Sequence, residues 1–267
     1  MVSRTTISYV LLFVTGCAFG QTGNSKGALS PAEPMAAIAA VRDYALSYTK
    51  SLPNYTCTQT TQQTIRPAAL NPGLGRSVRT KVIEEQLSFV DSKEIRRIAR
   101  IDGRPASRQD TDRLVGMSQG EFGNLLDIIF EPSTGASLRW GRMATLDRRR
   151  VYVIDFRVPQ SSGYVLTEPK RRIQVPFEGL VYADAQTHAV LRIQMKCVMI
   201  PFDSRYQALD LTLDYKAARV AGRDFILPSH FALNFRTDEV IVANSGDYTN
   251  YRRFSADTTV KFEGDTQ

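Results

Sequence analysis

From Tyr152 onward the chain alternates apolar and polar residues with a period of two, in run after run. Tyr152, Ile154, Phe156 and Val158 are interleaved with Asp155 and Arg157. Ile173, Val175, Phe177, Gly179 and Val181 share a parity. Leu191, Ile193, Met195, Cys197 and Met199 fall on one face, with Arg192, Gln194 and Lys196 on the other. Leu209, Leu211, Leu213 and Tyr215 oppose Asp210, Thr212, Asp214 and Lys216, and Phe231–Leu233–Phe235 and Thr258–Val260–Phe262 continue the pattern. A strand turns successive side chains to opposite faces, so this rhythm describes sheets with one covered and one wet face, which is antiparallel behaviour. Turn signals at Ser162-Gly163, Ala221-Gly222 and Ser245-Gly246-Asp247 separate the runs at meander spacing. A parallel sheet would need a crossover helix between strands, and no helical pattern follows Pro132.

Only two stretches have the helical period. Ser30-Pro31-Ala32-Glu33 combines an N-cap Ser, a Pro at the first helical position and a Glu three residues on; Ile38, Val41, Ala45 and Tyr48 then form one stripe that ends near Lys50. Ser118-Gln119-Gly120-Glu121 is a second capping box, followed by Phe122, Leu125, Leu126, Ile129 and Phe130 at helical spacing. The segment beginning at Asn54 is Thr- and Gln-rich and reads as a strand, and Ile95, Ile98 and Ile101 mark a basic strand with a turn at Asp102-Gly103. The expected fold is mainly β with two helices (α+β): a single long curved antiparallel sheet, a half-barrel, with an N-terminal helix and a central helix on its concave face. A long sheet curls, and two helices fill its hollow only in part. The apolar parity then nominates the residues that would meet an apolar ligand: Leu87 and Phe89, Ile154 and Phe156, and Leu191, Ile193 and Met195, with Phe122, Leu126 and Ile129 of the central helix.

The N-terminus carries Arg4, a short apolar run from Ile7 to Val14 and small residues after it. That is an export signal over residues 1–20 and is too short to span a bilayer. Two endings are open. Val14-Thr15-Gly16-Cys17 is similar to a lipobox, with lipidation at Cys17, and Ala18-Phe19-Gly20 is an ordinary cleavage site. Residues 21–29 read as a flexible leader and 30–267 as one domain. Either ending leaves Cys57 and Cys197, which in an exported chain pair as a disulfide or stay as two separate buried thiols. The net charge of +7 favours acidic envelope partners over nucleic acid, although the clusters Arg148-Arg149-Arg150, Lys170-Arg171-Arg172 and Arg252-Arg253 also suit solvated strand ends.

Two segments carry a family resemblance. One is Tyr48 through Leu52-Pro53-Asn54-Tyr55-Thr56-Cys57-Thr58-Gln59-Thr60, a helix entering a Gln/Thr-rich first strand. The other is Gly179 through Asp184-Ala185-Gln186-Thr187-His188 to Arg192, a hairpin turning at an Asp-containing tip. With the meander around them they resemble the lipoprotein-carrier superfamily of the LolA/LolB type. The resemblance implies a periplasmic or outer-membrane-associated half-barrel of a Gram-negative-type bacterium that holds acyl chains of a lipid or lipoprotein without covalent chemistry. The Cys pair and the charged insert from Arg104 to Arg113 depart from that pattern.

Little in the chain suggests catalysis. Gly116-Met117-Ser118-Gln119-Gly120 matches a nucleophile-elbow spacing, with His230 downstream, but Ser118 serves better as a helix cap and no buried strand precedes it. With two His, no paired Cys motif, no phosphate loop and no dinucleotide fingerprint, neither a metal nor a cofactor is expected. The reading is a non-enzymatic envelope protein that binds an apolar ligand. The alternatives are an envelope sensor or interaction module with a packed core and a protein partner, or a Ser118-dependent hydrolase. Membrane contact is expected only through a lipidated Cys17.

Overall fold

The computed structural model describes residues 32–68, 77–112, 114 and 123–254. The export segment with Cys17, the leader, Ser118, Phe122 and the strand expected around Val260 lie outside the described residues. The chain opens with α1 (Ala32–Ser51), then β1 (Tyr55–Pro67), β2 (Arg79–Val90), β3 (Lys93–Ile101) and β4 (Arg104–Pro105). Two short helices follow, α2 (Arg108–Asp112) and α3 (Asn124–Phe130). Nine strands complete it: β5 (Ser137–Leu146), β6 (Arg149–Val158), β7 (Tyr164–Thr167), β8 (Arg172–Val175), β9 (Phe177–Asp184), β10 (Val190–Cys197), β11 (Tyr206–Val220), β12 (Arg223–Thr237) and β13 (Val240–Arg253).

Eleven of the strands form one curved, unclosed antiparallel sheet in the order β4-β3-β2-β1-β13-β12-β11-β10-β9-β6-β5. β7 and β8 make a separate hairpin. This is the half-barrel that the alternation predicts. Four of the neighbouring strand pairs are joined by two-residue turns with left-handed backbone: Asp91-Ser92, Asp102-Gly103, Asp147-Arg148 and Ala221-Gly222 all have positive φ. That is the turn whose twist matches a twisted strand pair.

Direct cross-strand partners point to the same face, so the register lists the inner wall. Phe177, Gly179 and Val181 of β9 pair with Val158, Phe156 and Ile154 of β6 on one side, and with Cys197, Met195 and Ile193 of β10 on the other. Ile193 and Met195 pair with Leu213 and Leu211, and these with Phe231 and Leu233. Helix α1 lays Val41, Ala45 and Tyr48 against this wall, and α3 adds Leu125, Leu126, Ile129 and Phe130. Among the described residues of these stripes all are buried except Ile38, which is half-buried.

Three expectations need correction. Cys57 and Cys197 are free thiols, not a disulfide. Cys57 is on β1 and Cys197 on β10, four strand steps apart in the sheet. At about 4.8 Å per step that is roughly 19 Å along the sheet, against the ~7 Å between Cα atoms that a disulfide tolerates. Leu191 does not share the face of Ile193, because a register shift between Val190 and Arg192 turns it away. It packs in a separate small cluster with Val151, Val153 and Ala189. Ser245-Gly246-Asp247 is not a turn but the middle of β13. Gly246 stands opposite Phe231, and a Cβ there would lie 2.3 Å from the Phe231 ring, so the glycine makes room for an aromatic face. The insert from Arg104 contains β4 and a five-residue helix. Ser107 starts that helix, its hydroxyl accepting the Asp110 N–H at 3.2 Å while its own N–H donates to Asp110 Oδ2 at 3.3 Å.

Candidate functional site

The inner wall brings together most of the residues nominated for ligand contact. Leu87 and Phe89 of β2, Ile154 and Phe156 of β6, Ile193 and Met195 of β10, and Leu126 and Ile129 of α3 belong to one continuous buried cluster. Leu191 lies outside it. In this conformation the wall is closed rather than hollow: Ile154, Val181, Ile193 and Leu213 have no exposed surface. Side chains from α1 and α3 and from Leu166 and Val175 of the β7–β8 hairpin cover it. Each such side chain contributes roughly 1.5–3 kcal/mol by leaving water. Tyr48 of α1 donates to the Ile226 carbonyl at 2.9 Å and meets Tyr215 edge-on, which ties the helix to the sheet. Burial pushes the Tyr48 phenol well above its ordinary value, so it stays neutral and able to donate.

The lid over this wall is slight. Helix α3 has seven residues and begins after Gly123, an N-cap with φ 143° and no side-chain hydrogen bond, not at the capping box expected from Ser118 to Glu121. Thr49 of α1 packs so close to Gly123 that a Cβ there would lie 2.0 Å from the Thr49 methyl. A helix this short is marginal without the surface under it, so its place depends on that joint and on its apolar face.

One part of the inner wall is polar, which sequence reasoning did not anticipate. Tyr55 and Cys57 begin the inward parity of β1, and Gln59, Thr61 and Gln63 continue it, all buried. Gln59 Nε2 donates to Glu85 Oε2 at 2.9 Å and to Thr61 Oγ1 at 3.0 Å. Arg96 reaches Gln59 Oε1 at 3.2 Å, stands 3.8 Å from Glu85 and bonds Glu94. Gln63 Nε2 donates to Asn244 Oδ1 at 3.0 Å. These are direct or near-direct cross-strand neighbours in β13, β1, β2 and β3. The signal was the unbroken period from Tyr55 through Gln63; amide side chains disguised it as a wet face.

Neither thiol is poised for chemistry. Burial pushes Cys57 up to about 12, although a Tyr251 hydrogen bond and nearby Arg96 act the other way, and burial alone pushes Cys197 up to about 12. His230 has polar company on the outer face. Its Nδ1 lies 2.8 Å from Asp247 Oδ1, and its Nε2 lies 3.5 Å from Ser245 Oγ. The order is that of a proton relay, but the residues sit on interior strands whose backbone N–H groups are taken up by neighbouring strands. Among the described residues, those strand N–H groups are therefore not free to stabilise a charge developing beside His230. Asp184 holds the β9–β10 turn by accepting the N–H groups of Gln186 and Thr187 at 2.9 and 3.0 Å. Among the described residues no group of three or more His, Cys, Asp or Glu is placed to hold a metal ion.

The solvent-exposed surface carries three further features. A broad depression of about 860 Å³ crosses β5, β6, β9, β10 and β11. Its charges neutralise one another across strands: Arg139–Asp155 at 3.3 Å, Arg157–Glu178 at 2.8 Å and Lys196–Glu178 at 3.3 Å. A second depression of about 680 Å³ lies at the opposite end of those strands, under the β5–β6 and β9–β10 turns. The third feature is the β10–β11 loop, which exposes Met199 and, completely, Phe202. It is braced from below: Arg171 bonds the Asp203 carboxylate and carbonyl at 2.8 Å each, and Glu168 accepts from the Ser204 hydroxyl at 2.8 Å and the Arg205 N–H at 2.9 Å.

No family model matches the chain. No curated protein matches it either. Among solved structures it is similar to a DUF1329 family protein from Desulfovibrio piger, with 10% identity over 82% of this chain and 94% of that one and a TM-score of 0.38. A LolA superfamily protein from Nitrosomonas europaea gives 10% identity over the same shares and a TM-score of 0.34. The lipoprotein LppX from Mycobacterium tuberculosis gives 12% identity over 83% of this chain and 97% of that one, at 0.28. At such identities and TM-scores none of them assigns this chain a ligand, an activity or a partner.

Proposed function

We propose that the protein is a non-enzymatic envelope binding protein that takes the acyl chains of a lipid or lipoprotein against the inner wall of its sheet. The observation that carries this is the pairing of a continuous apolar wall, running from β6 to β12, with a lid whose second helix is seven residues long and uncapped. An acyl chain that displaced α3 would exchange one apolar surface for another, at little cost in exposed area. The export signal supports an address outside the cytoplasm. An environment-sensitive fluorescent fatty acid tests the reading: saturable binding, competed by unlabelled chain, is expected, and it should strengthen in Leu126→Ala, which loosens α3. Absence of saturable binding in both proteins would contradict it.

A second reading is favoured by a specific observation. The closed inner wall and the braced, exposed Met199 and Phe202 also suit an interaction module whose apolar loop docks an envelope protein. Its mark would be a partner captured from envelope extract by the wild type and lost in Phe202→Ser, with no lipid carried by either.

A further inference from the structure

The depression of about 680 Å³ beneath the β5–β6 and β9–β10 turns is lined by Met143, Arg148, Arg149, Arg150, Tyr152 and the turn residues Asp184–Thr187. Its charge is unbalanced, unlike that of the larger depression. Asp184 is the one acid on its wall, and that carboxylate already accepts two backbone N–H groups and faces Arg149 at 3.5 Å. Asp147, in the adjoining turn, instead lines the separate depression that contains Asp214. Arg148 and Arg150 are exposed and have no carboxylate partner among the described residues. Two cations therefore flank one concavity with nothing to neutralise them.

One aromatic side chain, Tyr152, is on its wall. The Tyr152 ring lies 5.3 Å from Trp140 and is stacked on His188 at 6.2 Å with an interplanar angle of 14°. Tyr152 also packs against the main apolar core, and its strand partner Ala183 is on the inner face. Arg150 has the parity of Tyr152 and Ile154. The path from Arg150 to the apolar wall is therefore two steps along one strand, cation to aromatic to aliphatic.

We propose that this rim is a binding site for the phosphate-bearing head group of an amphiphile, with Arg148 and Arg150 holding the phosphate and Tyr152, backed by Trp140 and His188, supporting the group that joins it to the chains. Guanidinium groups suit phosphate because their donors match its oxygens in pairs. The order of chemistries along β6 is that of a lipid. The inference rests on the acyl-chain reading above, and it gives that reading a head-group preference.

The test compares the wild type, Arg148→Gln/Arg150→Gln and the charge-matched control Lys170→Gln/Arg172→Gln, all on exposed positions. Probes are short-chain phosphatidylglycerol, the matching diacylglycerol without phosphate, and inorganic phosphate. Phosphatidylglycerol is expected to bind the wild type and the control alike and to lose about ten- to hundredfold in the Arg pair variant, whereas diacylglycerol binding is unchanged. Inorganic phosphate bound by the wild type and lost in the Arg pair variant would support the site with a free ion as its source. Phosphatidylglycerol binding that is equal in all three proteins, or reduced equally by the control, would overturn the proposal. If neither lipid binds any protein, the acyl-chain reading fails, and the phosphate arm alone decides the rim: loss in the variant keeps it, no binding removes it.

Discussion

The inner wall has two halves built on different physics. From β6 to β12 it is aliphatic and aromatic, Ile154 through Val181, Ile193 and Leu213 to Phe231, and covered by α1 and α3. From β13 to β3 the same face keeps apolar side chains such as Tyr55, Leu87, Phe89 and Val242 but adds a stripe of Asn244, Gln63, Thr61, Gln59, Glu85 and Arg96, joined by hydrogen bonds across strands. Apolar burial is non-directional, so the first half holds its strands together without specifying much beyond volume. Hydrogen-bonded side chains are directional, so the second half penalises any slip of register. The half that can exchange its contents and the half that keeps the sheet in register are thus separate regions of one surface.

Substitutions probe that division, and the largest effect belongs to the polar half. Glu85→Ala leaves Arg96 and Gln59 facing a buried gap and should cost about 3–5 kcal/mol, read as a lower urea midpoint with the slope unchanged. In the apolar half, Leu213→Ala should cost about 2–5 kcal/mol, whereas the volume-conserving Leu213→Met should cost less than about 1.5 kcal/mol. A polar-half residue that tolerated its isostere as readily would break the contrast. Gln63→Leu should cost about 1–3 kcal/mol because Asn244 loses its donor, and adding Asn244→Leu should restore part of the loss.

Smaller effects test the rim and the thiols. Burial raises the Asp184 carboxyl, but the Thr187 and Gln186 N–H groups outweigh it and hold the group below its ordinary value. Its contribution is complete above the unfolded value of about 3.9 and is lost as pH falls through the folded value. The stability gap between wild type and Asp184→Asn should therefore narrow on acidification below about pH 4. Cys57 and Cys197 belong to opposite halves, yet both should react slowly with a thiol reagent at neutral pH in the folded protein. After unfolding without reductant both should react at once, in a chain that starts after residue 20. A chain that showed no titratable thiol would restore the disulfide.

The sheet was legible because period two survives in any strand with one wet face, and both helices because their apolar stripes recur at helical spacing, although the start of α3 lies at Gly123 and not at the Ser118 box. Where the reading failed, a local event interrupted the period. The bulge at Val190 turned Leu191 outward without altering its apolar character. Gly246 sits mid-strand for the sake of the Phe231 ring, which a chain read one residue at a time cannot show. Arg148 occupies a left-handed turn position that favours Gly or Asn, so the β5–β6 hairpin had no turn signal. The site divides in the same way. Its apolar wall was visible as parity, but the polar stripe was hidden because Gln59 and Gln63 look solvated until their cross-strand partners are known. The Arg pair was visible as charge, and only the fold put Tyr152 beside it, with His188 stacked on that ring.

Native mass spectrometry of the protein, extracted gently from the envelope of its host, addresses the inner wall directly. A population heavier than the mature chain by the mass of a two-chain lipid, shed on activation to leave the bare protein, is the predicted result. A single mass equal to the mature chain, unchanged when acyl lipids are supplied in excess, would contradict the account.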